Sequence, residues 1–216
     1  MTSQTRKQRV TLIDYGAGNV TSVERALHKL GAETIQADTP AQIDHATALI
    51  LPGVGHFAAL IRALDENNLR APILAAINRG IPFLGICLGL QALYDGSDEA
   101  ADLAGLGLIP GQVVALPANV KLPHMGWNQL QIQPRATPSR LLRGISSDAH
   151  FYFAHSFAAL PTQQKAGTVA TCTHGSEFIA VFERNNIHAV QFHPEKSGAP
   201  GAQLLANFVK MAEVAS

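Results

Sequence analysis

Several things are scarce in this 216-residue chain, and each scarcity excludes a class of protein. There are only two cysteines, too few for a disulfide framework, and no Cys/His spacing matches a structural zinc site; no metal is expected. Sixteen basic residues balance sixteen acidic ones. With no run of like charge, the chain has no electrostatic footprint for a nucleic acid or an anionic membrane. No apolar stretch approaches the roughly 20 residues that cross a bilayer. The basic start "MTSQTRKQR" leads into only a short apolar run, less than a secretory signal needs. A reducing cytoplasm is the expected compartment. Hydrophobic residues, by contrast, make up 47% of the chain, enough for one domain that buries roughly 70–75% of its unfolded surface.

The apolar period alternates along the first half. "VTLID", "ATALILPG" and "IPFLGI" read as short buried strands. Between them "NVTSVERALHKLG" sets Val20, Val23, Ala26, Leu27 and Leu30 on one helical stripe stopped by Gly31. "FAALIRALDENN" and "APILAAINRG" also read as helices. Strands alternating with helices predict an α/β fold: an open, largely parallel twisted sheet with helices on both faces. From about residue 111 the segments become shorter and extended, an antiparallel extension: "GQVVAL", "HFYFAHSFAAL", "GTVATCTH" and "EFIAVFERNNIHAVQFH", with "ERNN" as a hairpin turn. A last helix carries Leu204, Leu205, Phe208 and Met211 on its inner face. "DGSDEAADLAGLG" and "PRATPSR" read as surface loops. Residues 1–9 are expected to form a flexible extension and residues 10–216 a single domain.

One cysteine sits at a cramped place. In Gly85-Ile86-Cys87-Leu88-Gly89 small residues flank a nucleophile where a strand meets a helix, the form of an elbow that exposes its side chain at the carboxyl edge of a sheet. The following helix start favours the thiolate over the thiol. The plain alternative is a small buried hydrophobe behind a core strand, the reading given to Cys172 in "VATCTH". A second strand end, "AVQFHPEKS", brings His193 and Glu195 within two residues of each other around a stiff proline, a base and the carboxylate that would orient it. A third, "LILPGVGHF", ends in Pro52-Gly53-Val54-Gly55, whose amides could face an oxyanion. Each turn alone could be structural. Three such strand ends together point to one site, because ligands of open α/β sheets bind beyond the carboxyl ends of the strands.

These three stretches together resemble the class I, or triad-type, glutamine amidotransferases, which take ammonia from the side-chain amide of glutamine. "KLPHMGWNQL" and "FYFAHSF" are further similar to those members that serve imidazole glycerol phosphate synthase in histidine biosynthesis. The similarity runs from about residue 10 to the C-terminus. It implies Cys87 as nucleophile, His193 as base and acid, and Glu195 as its partner. Val54 and Leu88 would supply oxyanion N–H groups. Gly53, Gly55, Gln91, His155, Ser156 and Phe157 would form the glutamine pocket. Phe157 stands where a tyrosine is frequent in the family, and Gln129 where an acid is common. No cofactor is implied.

The resemblance also implies a partner, a (β/α)8-barrel cyclase subunit that receives the ammonia and forms a heterodimer with this chain. Asn19, His124, Trp127, Asn128 and Lys196 would face it. Three alternatives stand beside this reading: a glutaminase serving another synthase, a catalytically silent binding module of the same fold, and a free-standing thiol hydrolase.

Overall fold

The computed structural model describes residues 9–16, 19–134, 137–161 and 167–214. The first half alternates strand and helix: β1 (Arg9–Ile13), α1 (Val20–Lys29), β2 (Glu33–Ala37), α2 (Pro40–Asp44), β3 (Leu49–Leu51), α3 (Phe57–Glu66), α4 (Arg70–Asn78), β4 (Phe83–Ile86) and the single turn α5 (Leu88–Gln91). Strands dominate the second half: β5 (Tyr94–Ser97), β6 (Ile109–Ala115), β7 (His124–Gln129), β8 (Gln131–Ile132), β9 (His150–His155), β10 (Phe157–Ala159), β11 (Thr168–His174), β12 (Ser176–Arg184) and β13 (Ile187–Val190), followed by the long helix α6 (Gly198–Val214).

Eight strands form the central sheet in the order β2-β1-β3-β4-β13-β12-β11-β8. The first five are parallel, and β12, β11 and β8 continue antiparallel. The parallel strands read as unbroken apolar runs because both their faces are covered. In β1, Val10 and Leu12 face a core shared with α1 and α6, while Ile13 faces the core under α2, α3 and α4. Val23 and Leu27 of α1, and Leu204, Leu205 and Phe208 of α6, are almost wholly buried. Each such side chain stabilises the fold by about 1.5–3 kcal/mol relative to exposure.

The expected parallel sheet, its antiparallel extension and the "ERNN" hairpin are all present, with Asn185 at φ 56° in the turn. Four expectations differ from the structure. Arg9, expected in the extension, belongs to β1, opposite Glu33; residues 1–8 lie outside the described ones. Leu30 caps α1 and is 36% exposed, off the buried stripe. "DGSDEAADLAGLG" is not a free loop: Tyr94–Ser97 pairs with β6, and a short 3-10 turn follows at Asp98–Ala100. "HFYFAHSFAAL" is two strands, with β9 pairing β7 and β10 pairing β6, so the chain changes sheets at Ser156. Of "PRATPSR", residues 135–136 lie outside the described ones.

No helix among the described residues is long and apolar enough to cross a membrane.

Candidate active site

Strands β4 and β13 are parallel neighbours, with Ile86 opposite Val190. Both chains leave the sheet at the same edge, and the Cys87 amide donates to the Val190 carbonyl at 2.8 Å. Three residues beyond that carbonyl stands His193, its own amide tied to the Tyr152 carbonyl at 2.9 Å. The topology thus places the cysteine and the histidine side by side, although about a hundred residues separate them.

Cys87 has φ 52° and ψ −103°, a left-handed conformation that costs an L-residue of order 1–3 kcal/mol. The strain falls on the cysteine itself; the flanking glycines serve close packing. A Cβ on Gly85 would lie 2.6 Å from the Gly89 carbonyl oxygen, and one on Gly89 would collide with the Leu51 carbonyl. Because α5 is only one turn long, its dipole adds little to thiolate stability. The neighbours of the sulfur matter more. His193 is hydrogen-bonded to Cys87 and, through Nδ1, to Glu195 Oε1 at 2.9 Å. Burial works against a charged ring, but the hydrogen bonds and negative charge of Cys87 and Glu195 outweigh it and lift His193 to about 10. The ring is therefore held as imidazolium at neutral pH. The Glu195 side chain is 1% exposed.

Beside the sulfur lies a cleft of about 250 Å³, lined by Val54, Gly55, Cys87, Leu88, Gln91, Glu99, Ala154, Ser156, Phe157, His193 and Lys196. Of the six expected pocket residues, Gly55, Gln91, Ser156 and Phe157 line it. Gly53 and His155 stand behind the wall instead. A Cβ on Gly53 would lie 2.6 Å from Leu88 Cβ, so this glycine lets the loop press against α5. The His155 ring turns inward onto Phe178 and bonds the Phe157 carbonyl at 2.9 Å. Gly55, at φ +100° with open space around it, takes a backbone shape that side chains disfavour. The Leu88 N–H is the first amide of α5 and has no carbonyl of its own helix to bind. The phenolic oxygen of Tyr15 is buried without a hydrogen-bond partner among the described residues, and burial pushes its ionisation up to about 12.

Three residues of this site carry no sequence signal of the kind that marked Cys87. Gln191 is fully buried and directs Nε2 at Cys87 Sγ, 3.5 Å away, while its Oε1 accepts from Gln91 Nε2 at 3.3 Å. Glu99 caps α3 by accepting the Phe57 amide at 2.7 Å and also lines the cleft. Ser197 Oγ binds the His193 carbonyl at 2.6 Å and accepts the Tyr152 amide at 3.0 Å, pinning the histidine turn.

Residues 11–212 match the family described as glutamine amidotransferase class-I. The chain belongs to the class-I glutamine amidotransferases. Among curated relatives it is 46% identical to the imidazole glycerol phosphate synthase subunit HisH of Moorella thermoacetica, over 92% of this chain and 93% of that protein. It is likewise 46% identical to the subunit of the same name from Deinococcus radiodurans, over 92% of each chain. The chloroplastic imidazole glycerol phosphate synthase hisHF of Arabidopsis thaliana is 43% identical over 96% of this chain, which spans 35% of that longer protein. Among solved structures, PurLQS from Thermotoga maritima superposes with a TM-score of 0.74 at 21% identity, covering 95% of this chain and 99% of that one. That likeness establishes the fold, which is the class-I glutamine amidotransferase fold.

The residues expected to face a partner are not equally available. Trp127 is 55% exposed and Lys196 is exposed, its Nζ lying 5.8 Å from the centre of the Tyr152 ring. Asn19 caps α1 and is half-buried. Asn128 is partly covered and bonds the Thr173 carbonyl at 3.2 Å. His124 is 5% exposed and stacks between Phe153 and His174, so it offers no surface. Among the described residues no group of three His, Cys, Asp or Glu side chains could hold a metal ion.

Proposed function

We infer that this chain is the glutaminase subunit of an imidazole glycerol phosphate synthase and that it acts in histidine biosynthesis. The observation that carries the reading is Cys87 and His193 lining one cleft, with Glu195 bonded to the far side of the His193 ring, in a chain 46% identical to HisH subunits along nearly its whole length.

The chemistry follows from the geometry. The Cys87 thiolate attacks the carboxamide carbon of glutamine, and the charge that develops on oxygen is met by the Leu88 amide. The His193 imidazolium already holds the proton the leaving group needs; its transfer releases ammonia and leaves a glutamyl thioester. Neutral His193 then takes a proton from water, the hydroxide attacks the thioester, and glutamate leaves with the thiolate restored. Glu195 holds the ring by Nδ1 throughout. The Glu99 carboxylate in the cleft suits the α-ammonium group of the substrate.

Ammonia freed into neutral water becomes mostly ammonium and loses its nucleophilicity, so a second protein should cover the cleft. A (β/α)8-barrel cyclase subunit would receive the ammonia and form imidazole glycerol phosphate and an aminoimidazole carboxamide ribotide. In the Arabidopsis relative, the part like this chain is joined to a longer synthase, which supports such a pairing. Trp127, Lys196, Asn19 and Asn128 would meet the barrel. We read the Val54 amide as an oxyanion donor that the glycine hinge at Gly53–Gly55 brings to the substrate only when the partner is in place. A missing donor of this kind lowers turnover by about a hundred- to thousandfold. Both cysteines are free thiols, which suits the reducing cytoplasm.

The test is glutamine hydrolysis by the chain alone and with a barrel cyclase and its acceptor ligand. The expected outcome is a large rise in the complex, diminished by Trp127→Ala or Lys196→Ala. Cys87→Ala should abolish glutamine-dependent synthesis and spare ammonia-dependent synthesis. Full activity without the cyclase would refute the gate, and retained hydrolysis in Cys87→Ala would refute the nucleophile.

A further inference from the structure

A chain of hydrogen bonds runs from strand β7 to the Phe157 carbonyl at the cleft, and its direction is fixed at both ends. His124 and His155 are directly opposed across the β7–β9 ribbon. His124 Nδ1 lies 3.0 Å from His155 Nε2, and His155 Nδ1 lies 2.9 Å from the Phe157 carbonyl oxygen. A carbonyl only accepts, so His155 carries its proton on Nδ1 and its Nε2 must accept. His124 must then donate from Nδ1.

At the other end, Asn128 Nδ2 lies 3.4 Å from His124 Nε2. The orientation of that amide is not free. Its oxygen accepts the Gln129 backbone N–H at 2.9 Å, and its nitrogen donates to the Thr173 carbonyl at 3.2 Å. An N–H group therefore faces His124, whose Nε2 must accept it. One arrangement of protons satisfies every partner, with both imidazoles neutral. An added proton on either ring would set two N–H groups against each other. Burial, reinforced at His124 by the charge of His174, holds both rings below their ordinary range, to about 4 for His124 and about 3 for His155.

The Phe157 carbonyl also accepts from Gln91 Nε2 at 2.8 Å. Gln91 in turn meets Gln191, which donates to Cys87 Sγ. Phe157, Gln91 and Cys87 all line the cleft, whereas Asn128 lies next to exposed Trp127 on β7. We propose that Asn128, His124 and His155 form a one-directional donor relay that positions the Phe157 carbonyl and the Gln91 amide, so that the conformation of β7 sets the affinity of the cleft for glutamine. The proposal rests on the reading of that cleft as the glutamine site. His124 and His155 are positioning residues in this scheme and touch no substrate.

Two experiments on the full chain test it. Nitrogen-15 NMR of the histidine rings at neutral pH should find both rings neutral with the proton on Nδ1, a state that the surrounding hydrogen bonds select; a protonated ring, or a proton on Nε2 of either, overturns the relay. The second measures glutamine hydrolysis with the barrel cyclase present. His124→Phe keeps the stacking but removes the donor, and should raise KM for glutamine by about tenfold with kcat changed less than about twofold, as expected for lost ground-state positioning. His124→Asn places an amide nitrogen where Nδ1 stood and should recover most of the loss. Equal defects in the two variants, or an unchanged KM in His124→Phe, would overturn the proposal. If His124→Phe does not fold, Asn128→Leu takes its place, and an unchanged KM there counts against the relay in the same way. A wild-type complex without glutamine turnover would refute the glutaminase reading, while the NMR result would still decide the relay.

Discussion

Gln191 Nε2 points at Cys87 Sγ from 3.5 Å, bridging 104 residues of sequence. A buried amide donor held against sulfur stabilises thiolate over thiol. Gln191→Leu should therefore slow alkylation of Cys87 by iodoacetamide at neutral pH by roughly tenfold, the scale of one hydrogen bond to a charged group. Cys172 is a control: burial pushes its thiol up to about 12, and peptide mass spectrometry should find label on Cys87 alone.

The His193–Glu195 contact predicts unequal damage. His193→Asn should abolish turnover, because no group remains to protonate the leaving ammonia. Glu195→Gln can still accept the Nδ1 proton but no longer supports a cationic ring, so turnover should fall less. The His193 imidazolium is held by its contacts with Cys87 and Glu195. The rate should decline as pH rises toward about 10, and in Glu195→Gln that decline should begin at lower pH. A pH–rate profile of thioester formation would check both points.

Two glycines of the site should fail differently. Gly89→Ala drives a methyl group into the Leu51 carbonyl and should destabilise the chain by about 3 kcal/mol or more. Gly55→Ala meets no atom and suffers only from its φ of +100°, about 1–2 kcal/mol. Differential scanning calorimetry should rank them in that order.

Three buried histidines govern acid stability. Burial pulls His124 and His188 to about 4 and His155 to about 3. Below 6.5 the unfolded chain takes up protons that the folded chain refuses, so stability should be full above that value and fall as pH drops from 6.5 toward 3. His188→Phe should flatten the upper part of that loss, as followed by urea denaturation between pH 7 and 4.

The parallel half of the fold was legible because strands covered on both faces keep an unbroken apolar signature, and the helices between them keep theirs. The elbow at Cys87 and the His193–Glu195 turn were legible for a local reason: each packs its chemistry into three to five consecutive residues. Sheet order was not, since nothing near Ile187 says that β13 inserts beside β4. Nor was the change of sheet at Ser156, because β9 and β10 follow one another with a single residue between them and read as one extended segment. Gln191 reads as an ordinary strand residue, and Glu99 as part of a polar loop, until the tertiary fold brings them to the sulfur. The inward turn of His155 had no signal either: neighbouring residues in a strand face opposite ways, and sequence alone does not say which side is the cleft.

The pairing of β4 with β13 also bears on how such a chain can diversify. Cys87 and His193 follow adjacent strands of one sheet, yet the chain between them runs through β5 to β12 before it returns. The outer surface of that intervening stretch can change without moving Cys87 relative to His193, so long as β13 docks in register and Tyr152 keeps its hold on the His193 amide. A machine for releasing ammonia can in this way be fitted to different recipients by altering the outer face of the detour while its cleft-lining and pinning residues stay in place.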